Sequence, residues 1–125
     1  MTDGSKTGAE DSAMAGPLLV ASAVSGGVRV LTVSGEIDHH TGGTLREALG
    51  ASGTAHPRVV ADLRRVSFMD SSGINILISA HRSLTEAGGW LRLAAPSAPV
   101  LRTVQIVGLD AVIDCHPTVD QALDR

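Results

Sequence analysis

Val59-Val60-Ala61-Asp62-Leu63, then Val66-Ser67-Phe68-Met69-Asp70-Ser71-Ser72-Gly73, then an apolar-rich run from Ile74 to Ala87, reads as strand, turn and helix. A short apolar run bounded by turn signals is a buried strand, and Asp-Ser-Ser-Gly ahead of apolar residues at helical spacing is a helix start. Two hydroxyls thus follow a carboxylate at the carboxyl end of a strand, where open α/β sheets commonly place functional groups.

Working outward, Leu18 to Val24 and Val28 to Val33 are apolar and β-branched, and Ser25-Gly26-Gly27 between them is a hairpin signal. Val28, Val30 and Thr32 fall on one face of the second strand and Arg29, Leu31 and Val33 on the other, which predicts partial cover on both sides. Thr41 to Ala51 carries Leu45, Ala48 and Leu49 at helical spacing, with Gly42 and Gly43 weakening its first turn. Ser52 to Pro57 reads as a loop and Arg58 to Leu63 as the strand that delivers the serine pair.

The helix after it is the strongest in the chain. Ile74, Leu77, Ile78, His81 and Leu84 form a core stripe, Arg82 and Glu86 a wetter side, and Gly88-Gly89 the stop. Ile76 and Ala80 lie off that stripe, where they either pack beneath a neighbouring element or form an apolar patch for a partner. Trp90 to Ala95 resumes a strand. Ser97 then caps a helix with Val100, Leu101, Val104 and Val107 on one face and Gly108 at its end. Ala111 to Asp114 reads as a last short strand, and Thr118 caps a terminal helix carrying Val119, Ala122 and Leu123. A hairpin followed by αβαβαβα predicts a single α/β domain, a mixed five-stranded sheet packed with about four helices.

Composition narrows the function classes. The chain has 125 residues, of which 43% are hydrophobic, so a single domain can bury a core without staples. Residues 1–16 lack branched aliphatic and aromatic side chains and are expected to form a disordered tail ahead of a domain over 17–125. A net charge of −3 with scattered arginines argues against nucleic-acid binding. Cys115 is the only cysteine, which rules out an intrachain disulfide and fits a reducing compartment. No apolar run approaches the ~20 residues of a membrane span and no secretory signal precedes the domain, so a cytoplasmic protein with no membrane association is expected.

The chemistry of this turn suits a regulated phosphate on Ser71, although spacing alone favours an ordinary helix cap. Helix amino termini leave backbone N–H groups unpaired and carry about half a positive charge, so an anion there is stabilised by geometry alone. Phosphorylation adds roughly 1.5 to 2 negative charges, which suits the helix start yet blocks a partner docking on it. A like-charge clash at a buried contact is worth several kcal/mol, and a reversal of binding from 1:99 to 99:1 needs ~5.5 kcal/mol, so one phosphate is of the right order. The same residues are also what an ordinary capped helix looks like, and a serine can cap when free and still accept phosphate.

Ser67-Phe68-Met69-Asp70-Ser71-Ser72-Gly73, together with Gly35-Glu36-Ile37-Asp38-His39-His40-Thr41, closely resembles the two signature stretches of bacterial anti-sigma factor antagonists of the STAS domain family. The resemblance runs from about Leu18 to the carboxyl end. It implies a small regulator, not an enzyme, that binds an anti-sigma factor serine kinase, frees the sigma factor, is inactivated by phosphorylation and is restored by a serine phosphatase. It implies no cofactor, and a monomer or weak dimer. The residue after the signature aspartate, Ser71, is the implied phosphoacceptor, and Ser72 the second hydroxyl. Asp38 matches the acidic residue of the first signature, implicated in kinase contact, although spacing alone favours helix capping for it. Asp70 shapes the turn and the kinase-facing surface, with a purely structural role accounting for it equally. The partner surface expected from the resemblance comprises Asp38, His39, Asp70, Ser72, Gly73, Asn75 and Ile76. Family members often have Gly-Leu-Gly after the serine pair where this chain has Gly73-Ile74-Asn75, which puts an amide near the docking face. The other reading the resemblance leaves open is a STAS interaction module in a signalling assembly without a sigma factor.

Rival chemistries lack their parts. A receiver domain with Asp70 as acceptor needs a lysine after its fifth strand, and the only lysine is Lys6. A serine nucleophile needs a Gly-x-Ser-x-Gly elbow and a nucleotide hydrolase a Gly-x-x-x-x-Gly-Lys loop; neither motif occurs. His39 and His40 are adjacent, so their rings point different ways, and no third ligand stands at metal-binding spacing.

Overall fold

The computed structural model describes residues 18–50 and 56–124, so the expected tail over residues 1–16 and most of the loop over residues 52–57 lie outside the described residues. Strand β1 (Leu19–Ser25) turns through Gly26 and Gly27, both at positive φ, into β2 (Val28–Ile37), the backbone that a two-residue hairpin demands. There follow α1 (Gly42–Leu49), β3 (Arg58–Met69), α2 (Ser71–Glu86), β4 (Trp90–Ala94) and α3 (Ala98–Val107). A 3-10 turn (Leu109–Ala111), β5 (Cys115–His116) and α4 (Val119–Leu123) complete the chain.

The sheet order is β1-β2-β3-β4-β5, antiparallel between β1 and β2 and parallel thereafter. It is the mixed five-stranded α/β sheet with four helices that the pattern of elements predicts. Because the parallel strands follow one another in chain order, right-handed crossovers carry α1, α2 and α3 to the same face. There Leu31, Val33, Val59, Ala61, Leu63, Leu91 and Leu93 of the sheet meet Leu45, Leu77, Leu84, Val100 and Val104 of the helices in the main core. The other face carries Val28, Val60 and Ala94, covered by Ala122 of α4. Arg92 holds that cover down: its guanidinium lies 3.8 Å over the Trp90 ring and donates to the Ala122 carbonyl at 2.8 Å. The predicted two-faced burial of β2 is thus present, with Leu31 and Val33 inward and Val28 beneath α4.

Three predicted boundaries move, each for a physical reason. β2 and β3 run on to Ile37 and Met69, beyond the expected ends at Val33 and Leu63. Two irregularities in their register let Arg64, Arg65 and Ser67 face solvent while Val66 and Met69 still reach the core, so the polar residues that read as a strand end are accommodated within it. The last strand is Cys115–His116 in place of Ala111–Asp114. The N–H groups of Ala111, Val112 and Ile113 are taken up by Gly108 and Leu109 carbonyls in the 3-10 turn, so the ladder begins only where Leu93 N–H reaches the Asp114 carbonyl. On α3 the buried stripe is narrower than expected: Val100 and Val104 are fully buried, but Leu101 is 36% and Val107 53% exposed. Leu109 and Ile113, beyond the helix, fill the space that a wider stripe would have taken.

Candidate functional site

The site lies where β2 and β3 end side by side. Ile37 pairs with Met69, and Asp70 N–H donates to the Ile37 carbonyl at 3.1 Å, so the two parallel strands stop at one level. Both chains then reverse into helices, which brings the amino ends of α1 and α2 together on the core face.

The helix carrying the serine pair starts a turn earlier than its apolar residues suggest. Asp70 has extended backbone and its Oδ1 accepts from Ser72 N–H at 2.8 Å, while the Asp70 carbonyl accepts the first helical bond from Ile74. Ser71 is therefore the first residue of α2, exposed, at the end where the helix dipole is positive. Ser72 is half-buried and Asn75 exposed one turn on.

Asp38 organises the neighbouring turn. Its Oδ1 accepts from His40 N–H at 2.9 Å and Thr41 N–H at 3.0 Å, and its own N–H donates to Thr41 Oγ1 at 3.0 Å. Thr41 Oγ1 in turn donates to the Glu36 carbonyl at 2.8 Å. The Thr41 N–H holds the Asp38 carboxyl below its ordinary pKa; partial burial opposes this, and the His40 N–H adds to it. His39 and His40 are exposed, and their ring centroids lie 3.9 Å apart, so the two rings pack on each other instead of pointing different ways as their adjacency suggested.

Between α1 and α2 runs a groove of about 290 Å³ lined by His39, Gly42, Gly43, Arg46, Ser72, Asn75, Ile76 and Ser79. Gly42 makes the close approach possible, since a Cβ there would stand 2.7 Å from Ile76 Cδ1. Of the two glycines that weaken the first turn of α1 in isolation, Gly42 thus has a packing reason, whereas Gly43 has open space where a Cβ would go. Arg46 gives the groove a cationic side chain, and no acidic residue lines it.

Of the residues predicted for this site, Ser71, Asp38, His39, Asp70, Ser72 and Asn75 gather at the strand ends and along the groove. Two others of the expected partner-facing residues, Gly73 and Ile76, are buried in the free protein, although Ile76 still contributes to the groove lining. Gly73 is buried, and a Cβ on it would sit 2.7 Å from Ile37 Cγ2 and nearer still to Met69, so its small size serves the seam between strands and helix. Ile76 is only 5% exposed and packs on Gly42, the first of the two readings its off-stripe position allowed. Arg46 and Ser79 escaped sequence reading. Their spacing marks them only as exposed helical positions, and it takes the packing of α1 on α2 to bring them together. Among the described residues no three His, Cys, Asp or Glu side chains converge as metal ligands, and none of the described helices is long and apolar enough to cross a membrane.

Comparison with known proteins bears on the same region. The model of the STAS domain matches residues 20–122. The anti-sigma F factor antagonist of Paenibacillus polymyxa is 30% identical over 101 residues, covering 78% of this chain and 85% of that protein. The crystal structure of an anti-sigma factor antagonist from Mycobacterium paratuberculosis superposes with a TM-score of 0.78 at 32% identity, covering 89% of this chain and 97% of that one. The Bacillus cell fate determinant SpoIIAA, solved in its phosphorylated form, superposes with a TM-score of 0.63 at 27% identity, covering 86% and 97%.

Proposed function

The chain belongs to the STAS-domain family of anti-sigma factor antagonists, and on that premise we propose that its unmodified form binds an anti-sigma factor that is itself a serine kinase, so releasing the sigma factor. The kinase phosphorylates Ser71 and thereby ends the complex, and a serine phosphatase restores the antagonist. The protein is a substrate in this cycle and not a catalyst. The observation that carries the reading is Ser71 itself: exposed, first in its helix, and directly after the aspartate that caps that helix.

The physics of the switch follows from that position. A phosphate on Ser71 meets the positive end of α2 and disturbs no buried contact, so the fold tolerates it. A partner seated on the helix tip and the α1–α2 groove meets up to two new negative charges in a desolvating contact, which is where like charge costs most. Asp38, His39, Asp70, Ser72 and Asn75 form the surface around it, and Arg46 at the groove wall favours an acidic segment on the partner. The relative whose structure was solved in a phosphorylated form supports the same chemistry here.

The test is to incubate the purified protein with kinase-type anti-sigma factors and ATP and map the modified residue. Ser71→Ala is expected to bind the kinase constitutively, and Ser71→Asp to bind poorly with an unchanged melting transition. Modification elsewhere, or equal binding by both variants, refutes the proposal.

A further inference from the structure

β1 ends the sheet order, and among the described residues no strand pairs with its outer edge. Natural edges are protected by charge, proline or a bulge, because unpaired N–H and C=O groups are a template for another strand. Leu19 to Ser25 contains no charged residue and no proline, and its pairing with β2 is regular from end to end. Leu19 is 63% and Val24 75% exposed.

The sequence of this edge is also symmetric. Val20-Ala21-Ser22-Ala23-Val24 reads the same in both directions about Ser22. In a two-residue hairpin the closing pair, here Ser25 and Val28, exchanges backbone hydrogen bonds, and such pairs alternate along the ladder. Val20, Ser22 and Val24 therefore turn their N–H and C=O groups away from β2, toward the open side.

We infer that a second copy of this chain adds to β1 in antiparallel register about a two-fold axis at Ser22, joining two five-stranded sheets into one. In that register Ser22 faces Ser22, Val20 faces Val24 and Ala21 faces Ala23, and every outward N–H meets an outward C=O. Such an interface is isologous, with small or apolar side chains opposite one another and no like charges to repel. One strand pair is smaller than a standard-size interface, so the dimer is weak and reversible. β2 intervenes between this edge and β3, which leaves Ser71 outside the contact.

Sedimentation equilibrium on the full chain, from about 10 μM to about 1 mM, tests the inference over the range where small interfaces dissociate. The weight-average mass is expected to climb toward twice the monomer value. Ser22→Lys, an exposed position that places two cations face to face on the axis, is expected to hold the monomer mass throughout with unaltered circular dichroism and melting. In a Cys115→Ser background, Ser22→Cys is expected to give a disulfide-linked dimer on mild oxidation, since paired Cα atoms there stand about 5.5 Å apart, within disulfide reach. Ala23→Cys, whose partner in this register is Ala21, is expected to cross-link more slowly. A monomer mass at every concentration, self-association of Ser22→Lys equal to wild type, or cross-linking of Ser22→Cys no faster than Ala23→Cys overturns the inference.

Discussion

Replacing Asp70 separates the two duties the site asks of one carboxylate. In the free protein its Oδ1 accepts from Ser72 N–H at 2.8 Å, the only side-chain cap on α2. Asp70→Ala leaves that N–H without its partner at an N-cap, which costs about 1 kcal/mol within a range of about 0.5 to 2. The body of α2 stays in place, because Leu77 and Leu84 are fixed in the core whether or not the first turn frays. For a domain of this size, 1 kcal/mol lowers the melting temperature by roughly 4 to 8 °C. Asp70→Ser keeps an acceptor at the cap and is expected to recover all but a few tenths of a kcal/mol. Urea denaturation of the three proteins reads the capping duty, and kinase binding reads the other. If the carboxylate also contacts the partner, Asp70→Ser binds as poorly as Asp70→Ala despite its recovered stability. An Asp70→Ala protein as stable as wild type, or an Asp70→Ser protein as unstable as Asp70→Ala, refutes the capping argument.

The lowered Asp38 pKa makes its contribution pH-dependent. A carboxyl held below its ordinary value stabilises the fold above the unfolded pKa, near 3.8, and that contribution disappears as pH falls through the lower folded value. The stability gap between wild type and Asp38→Asn is therefore expected to be full at neutral pH and to close on acidification, with the Asp38 titration followed by NMR. Gly43 has open space where a Cβ would go, so Gly43→Ala is expected to raise stability by about 0.5 to 1 kcal/mol through helix propensity, while Gly42→Ala gains less or loses by pressing on Ile76; thermal melts compare the two. Arg92→Ala removes both the stack on Trp90 and the charged hydrogen bond to Ala122, and is expected to cost about 1.5 to 3 kcal/mol with faster amide exchange confined to α4.

Much of the fold was legible because its elements are locally consistent. The hairpin announces itself through Gly26-Gly27, the terminal helix through Thr118, whose Oγ1 accepts from Gln121 N–H at 3.1 Å, and the alternation of strands and helices is unbroken. What misled was competition between local and tertiary bonding. Ala111 to Asp114 is apolar enough for a strand, but its N–H groups are used in a turn before the sheet can claim them. Arg64 and Arg65 look like the end of a strand because a register shift, invisible in one sequence, carries the pairing past them.

The sequence alone determined the order of elements, the capped helix that begins at Asp70-Ser71 and the family signatures on either side of it, since capping, turn chemistry and apolar period are properties of neighbours along the chain. The tertiary structure decided which of those residues face outward. Parallel pairing ends Ile37 and Met69 at one level, and the approach of Gly42 to Ile76 builds a groove from Arg46 and Ser79 that no spacing could have joined. The same packing buries Gly73, where only a residue without a Cβ fits between Ile37 and Met69, and Ile76, whose apolar side chain leaves water by packing against Gly42.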